Sequence, residues 1–149
     1  MRTMSRACLS IFALSAGFLG LSAGPLRQTS SKAAGASQVQ RGKYLVEEVA
    51  KCTECHTPRD SQGQLDRDHW LQGAAIWIMP VHRTQNWAQN APALAGFGAY
   101  SDADASDILE KGIGANGEII RPPMHIYHMS HADAQAIVAY LRSLPAGDD

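Results

Sequence analysis

Cys52-Thr53-Glu54-Cys55-His56 is the stretch on which the reading of this chain turns. Two cysteines separated by two residues, with histidine directly after the second, form the attachment signature of c-type haem. The spacing has a chemical reason. Two thiols three residues apart can reach the two vinyl groups of one porphyrin and form thioethers. The imidazole that follows then lies under the macrocycle and takes the proximal iron position. The remaining residues are expected to hide, orient or tune that group.

The competing uses of a Cys-x-x-Cys pair are poorly served here. The chain has three cysteines, and the third, Cys8, sits inside an apolar N-terminal run. A zinc finger would need two further Cys or His ligands at finger spacing, and no second pair of cysteines exists. A thioredoxin-like disulfide would sit in a βαβ pattern, which the flanking residues do not form.

Arg2 and Arg6 precede that apolar run, Ala7–Ala23, and Ser22-Ala23-Gly24-Pro25 follows with small residues. Residues 1–23 read as a secretory signal peptide cleaved after Ala23, with Ala36 as a later exit point and an uncleaved membrane anchor as the alternative. Cleavage would place the chain in the periplasm or another exported compartment. A membrane tether is expected only if the segment stays in place. Removing residues 1–36 takes four of the 13 basic side chains and no acidic one, leaving nine against 14 and a net charge of −5. No basic stripe of the kind that nucleic acid needs is present.

Residues 24–37, rich in Ser, Ala and Gly without periodicity, read as a linker. A helix is expected from Val39 to Lys51, running straight into the haem motif, with Gly42 offering close approach to another helix. The segment from Gln64 to Asn90 has no clean period and holds all three tryptophans, Trp70, Trp77 and Trp87. So long an irregular stretch is expected to cover something, either a flat apolar cofactor or a small core. Ser101 with Asp104 opens a second helix, closed by Gly112 and Gly114. Ser130 with Asp133 opens the last and clearest one, whose apolar stripe is Ala134, Ile137, Val138, Leu141 and Leu144. Pro145 stops it, and residues 147–149 form a tail.

The ligand on the other side of the iron decides between electron carriage and ligand chemistry. Met124 has the best setting for it, behind Pro122 and Pro123 and just ahead of the last helix. Met129, His125, His128 and His131 are the alternatives, with Met79 and His82 behind them. A closed sixth position makes an electron carrier that needs no catalytic residue. An open or labile one makes a haem enzyme or gas-binding sensor.

With these residues in view, the chain from about Gln38 to Pro145, within a domain read as 38–146, resembles a class I cytochrome c domain. The resemblance rests on Gly42 and Tyr44, on Cys52–His56, on Pro92-Ala93-Leu94-Ala95-Gly96, on Arg121-Pro122-Pro123-Met124, and on Ile137–Pro145. Cys-x-x-Cys-His-Thr-Pro-Arg and the Pro-Pro-Met to Tyr-Leu ending are similar to haem domains of periplasmic dehydrogenase cytochrome subunits. Such subunits usually carry several domains, whereas this chain has one. The resemblance implies an all-α cytochrome c fold, its N- and C-terminal helices packed across one covalent haem c, here with a long loop insertion. It implies His56 and Met124 as axial ligands. It also implies a proline carbonyl accepting the proton of His56, which is Pro92 by its Pro-x-Leu-x-Gly context, with Pro80 the alternative. The expected partner is a redox protein, such as a dehydrogenase, an oxidase or another cytochrome.

Overall fold

Ser130 sets the start of the helix on which the other elements lie. Its Oγ accepts the Asp133 backbone N–H at 3.2 Å, which satisfies one of the unpaired donors of the first turn. In the computed structural model, which describes residues 24–147, this C-terminal helix spans His131–Ser143. The signal-peptide reading of residues 1–23, and residues 148–149 of the tail, lie outside the described residues. Ala134, Ala136, Ile137, Val138, Tyr140 and Leu141 are buried on the helix face that the sequence stripe predicts. The helix ends where Leu144 turns extended, at φ −81° and ψ 147°, ahead of Pro145.

In chain order the elements are α1 (Gly24–Tyr44), a π-helical turn (Leu45–Val49), α2 (Cys52–His56), β1 (Ala74–Ala75), β2 (Asn90–Ala91), α3 (Asp102–Lys111) and α4 (His131–Ser143). A short 3₁₀ turn at Ala95–Phe97 precedes α3. The fold is all-α apart from the two-residue strands, which pair antiparallel with Ala74 opposite Ala91 and Ala75 opposite Asn90.

Two expectations about the first helix are corrected. The stretch 24–37 is helical rather than an irregular linker. Residues 31–38 are exposed, so they carry no apolar stripe for periodicity to detect. Lys32, Ala33, Ala34 and Ala36 are good helix formers and are compatible with helix there. Nor does the helix run straight into the haem motif. After Tyr44 the chain widens into the π turn, where the Ala50 N–H bonds the Leu45 carbonyl five residues back at 2.7 Å. Lys51 then adopts the left-handed conformation, at φ 52° and ψ 38°, and α2 starts in a new direction. A π turn of this kind often marks a functional site.

Packing on α4 begins at Val39 and is closest at Gly42. A Cβ at Gly42 would lie 2.6 Å from the Ala136 carbonyl carbon and 2.8 Å from Tyr140 Cβ, so the two helices meet backbone to backbone. Tyr140 packs there and donates its hydroxyl to Glu47 at 2.5 Å, which pins the π turn to α4. On the other flank α3 lies against α4. Ser101 caps α3 by accepting the Asp104 N–H at 3.1 Å, and Gly112 closes it. Arg142 locks the entry to α3 by donating to the carbonyls of Phe97 and Tyr100 and to the Asp102 carboxylate, at 2.7, 2.8 and 2.7 Å. One apolar core, built on Val46, Leu71, Ala105, Leu109 and the inner face of α4, joins these parts.

Candidate haem site

Lys51 turns the chain so that α2 presents its motif inward. Cys52, Thr53 and His56 are buried, whereas Cys55 is half-exposed. Both cysteines are free thiols. Burial pushes the Cys52 thiol up to about 11, and burial followed by the charge of Glu54 raises that of Cys55. A reactive disulfide-exchange pair needs a depressed thiol pKa. Here both are raised, the opposite of what a disulfide-exchange pair uses.

His56 is oriented by a second shell that reaches it from the long segment. Its Nδ1 donates to the Pro92 carbonyl at 2.8 Å, which leaves Nε2 as the free lone pair. Burial lowers the imidazole pKa and the Pro92 hydrogen bond partly offsets this, so the ring is held neutral, the form in which imidazole ligates a metal. Pro92 directly follows β2, and β2 is placed by its pairing with β1. Gly73, just before β1, bonds back to the motif through its N–H to the His56 carbonyl at 2.8 Å. Behind it, the buried Thr57 hydroxyl accepts the Leu71 N–H at 3.0 Å. The Leu71 carbonyl in turn accepts the N–H groups of Leu94 and Ala95. The loop that carries Pro92 is thus tied to the residues flanking His56 at several points.

Gly73 is the tightest of these points. It sits at φ +86°, and a Cβ there would approach the Ala91 oxygen and Ala93 nitrogen at 3.0 Å and the Pro92 carbonyl carbon at 3.2 Å. Gly73→Ala is expected to destabilise the chain by about 1–2 kcal/mol, because left-handed backbone and crowding both penalise the methyl. It is also expected to displace the Pro92 carbonyl from Nδ1. A urea titration measures the first effect, and the histidine ring-proton shift in NMR measures the second.

Met124 is half-buried in the loop after the Pro122-Pro123 pair. That loop is tethered twice. The Ala88 N–H donates to the Pro122 carbonyl at 2.8 Å, joining it to the tryptophan segment. The Tyr127 hydroxyl donates to the Ala50 carbonyl at 3.0 Å, joining it to the residues just before the motif. Burial, and then the nearby Cys52 and Cys55, push the Tyr127 phenol up to about 12. Met129 instead packs against the apolar core. His125 and His128 are exposed, and His131 is exposed and paired with Glu110 at 2.8 Å. Met79 is 76% exposed and His82 is exposed. Pro80 lies in the tryptophan segment, and the hydrogen bond of His56 goes to Pro92. The tryptophans divide: Trp70 packs on the core, Trp87 is half-buried with its indole N–H on the Ile78 carbonyl, and Trp77 is 61% exposed.

The donor set fits a covalently held haem. Two free thiols and a neutral imidazole with a free Nε2 sit on one short helix, with a thioether on a tethered loop. Thr57, Leu71, Gly73 and Tyr127 complete the support. Sequence reasoning missed all four, because each acts through a contact with residues far along the chain. Gly73 alone leaves a local trace, as a glycine that can mark a positive φ; Leu71 also sits at positive φ, at 57°, but its residue type does not announce it.

Comparison with known proteins gives the same assignment. The cytochrome c family profile matches residues 39–145. The chain is 38% identical over 113 residues to the fructose dehydrogenase cytochrome subunit of Gluconobacter japonicus, covering 71% of this chain and 22% of that one. It is 32% identical over 117 residues to a dihaem c-type cytochrome of Cereibacter sphaeroides, covering 74% and 37%. It is 31% identical over 121 residues to the gluconate 2-dehydrogenase cytochrome c subunit of Pantoea cypripedii, covering 72% and 26%. It therefore spans between about a fifth and two fifths of the length of these relatives. With the matched region running from α1 through the motif to the end of α4, the chain belongs to the cytochrome c family.

Proposed function

We propose that the chain is an exported electron carrier with one covalent haem c, held by Cys52 and Cys55 and ligated axially by His56 and Met124. The observation that carries this reading is the buried, neutral imidazole of His56. Fixed through Nδ1 to Pro92, it stands one residue from the second of two free thiols. When bound, haem supplies a one-electron iron couple. The chain does the rest. The two thiols prevent loss of the group, and the Pro92 carbonyl raises the donor strength of Nε2. The soft Met124 thioether, held by a loop with two tethers, favours the reduced state relative to a second imidazole. Leu71 and Tyr127 help keep water from the motif. No general acid, base or substrate cavity is required, so no catalytic residue is assigned.

A dehydrogenase is the proposed donor. The relatives that serve fructose and gluconate dehydrogenases as cytochrome subunits support it. Export rests on the signal-peptide reading of residues 1–23. Among the described residues no helix is long and apolar enough to cross a membrane.

The test is expression in a host with a haem-attachment system, followed by intact mass and a reduced-minus-oxidised spectrum. The expected product is a chain beginning at Gly24 and carrying the mass of one haem. A chain with no covalent haem, or with two, overturns the proposal. A retained N-terminus would replace the cleaved signal by an anchor.

A further inference from the structure

Beside the haem motif lies a strip of surface that the proposed function leaves unused. Trp77, Met79 and Val81 alternate with the half-buried Ile78 and Pro80 in the irregular segment after β1 and are 61%, 76% and 95% exposed. Alternation by two puts such side chains on one side of the backbone. The strip is anchored to the motif itself, for the Trp77 indole N–H donates to the Glu54 carbonyl at 3.4 Å. β1, just before it, packs on α2. Isolated exposed apolar residues are ordinary, but three of them alternating over five positions beside the motif point to an interaction surface.

Charge around the strip is segregated. The sequence holds 14 acidic side chains, yet none falls between His69 and Ser101 or between Ile119 and Ala132. These two stretches are joined by the hydrogen bond from Ala88 to Pro122. They carry Arg83 and Arg121, both exposed and without an ion-pair partner among the described residues, together with the exposed His82 and His125. Glu54, the acid next to Trp77, is neutralised by Arg59 at 2.7 Å, and the Arg59 guanidinium lies 5.0 Å from the Trp77 ring centroid. An otherwise acidic domain thus carries these exposed apolar side chains in an acid-free stretch, with Arg83 two residues beyond Val81 and Arg121 next to the tethered Pro122.

We infer that the Trp77–Met79–Val81 strip, rimmed by Arg83 and Arg121, is the docking face for the redox partner. That partner presents an apolar patch edged with carboxylates. Apolar contact at the centre supplies affinity, while the opposed charges orient the encounter and speed it. Docking here sets the partner against α2 and the half-exposed Cys55, the edge of the haem motif nearest solvent. This rests on the electron-carrier reading above, and the experiment separates the two.

The holoprotein is adsorbed on gold coated with a mixed monolayer of carboxylate- and methyl-terminated alkanethiols, and interfacial electron exchange is timed by cyclic voltammetry. Wild type is expected to exchange at least ~10 times faster there than on an amine-terminated monolayer, an advantage that shrinks as salt rises. Arg83→Glu, and separately Met79→Ser with Val81→Ser, are expected to slow exchange on the mixed monolayer about tenfold. Their visible spectra and mediated solution potentials should equal those of wild type. Unchanged exchange rates in both variants overturn the docking face and leave the carrier reading intact. Absence of any mediated one-electron couple overturns the carrier reading itself. Two other occupants are read by sedimentation. A wild-type dimer abolished by the Met79 and Val81 changes assigns the face to a second copy. Binding to phosphatidylglycerol vesicles abolished by the same changes assigns it to a lipid surface. Either result overturns the proposal.

Discussion

Met124→Ala is expected to leave haem covalently attached yet open the ferrous protein to carbon monoxide, whereas Met129→Ala is expected to keep it closed. The two methionines are close in sequence but differ in what they touch. Met129 packs against the apolar core, and its backbone N–H bonds the Leu109 carbonyl at 3.1 Å. Its thioether is committed to packing, and truncation should cost on the order of 2 kcal/mol of stability. Met124 is not part of that core. It sits on the loop tethered by Pro122 to the tryptophan segment and by Tyr127 to Ala50, beside the motif. Removing a soft neutral ligand favours the oxidised state, so the midpoint potential of Met124→Ala should fall. A fall of more than roughly 59 mV corresponds to over tenfold in a one-electron equilibrium. Carbon monoxide titration of the dithionite-reduced proteins and a mediated redox titration measure both effects. If the Met129 variant opens and the Met124 variant does not, the ligand assignment is reversed. If wild type already binds carbon monoxide readily, the chain is a haem enzyme or sensor with a labile sixth position rather than a carrier.

Gly42→Ala is expected to destabilise the fold, a sign opposite to what helix propensity alone dictates. In an exposed helix interior the change would stabilise by about 1 kcal/mol. At this position the added methyl would be driven into the Ala136 carbonyl and against Tyr140 Cβ. The obstacle is backbone rather than the end of a flexible side chain, so α1 and α4 must separate. Separation also strains the hydrogen bond from Tyr140 to Glu47 that pins the π turn ahead of the haem motif. Overpacking of about 3 kcal/mol less the propensity gain leaves about 2 kcal/mol of destabilisation. For a domain of this size that is on the order of 8 °C in Tm. Thermal unfolding of the holoprotein, followed by far-ultraviolet circular dichroism, gives the answer. A Tm that rises would show that the two helices do not meet at Gly42.

The parts of the fold legible in the sequence are those encoded by local rules. Ser101 with Asp104 and Ser130 with Asp133 mark helix starts because a short side-chain oxygen caps the residues immediately after it, and both helices begin there. The buried stripe of α4 was legible because its period is that of the helix it lies on. Residues 24–37 defeated the same logic. Over 31–37 the helix is exposed and leaves no apolar stripe, and its helical preference is spread thinly over ordinary residues. The break at Lys51 was equally invisible, since no Gly or Pro announces the positive φ there.

By itself the sequence determined the cofactor chemistry. Cysteine spacing, and the histidine that follows, are properties of a single helical turn, and they point to the same thioether and ligand geometry wherever that turn is placed. Only the tertiary structure decided how that turn is held. The bond from His56 to Pro92 spans 36 positions and that from Tyr127 to Ala50 spans 77. Gly73 matters only because β1 and β2 bring Pro92 against it. Contacts between distant residues have no local pattern, since their cost and gain depend on what the folded chain brings into reach. Cys52–His56 therefore named the haem, and the packing around it supplied the orientation of its histidine.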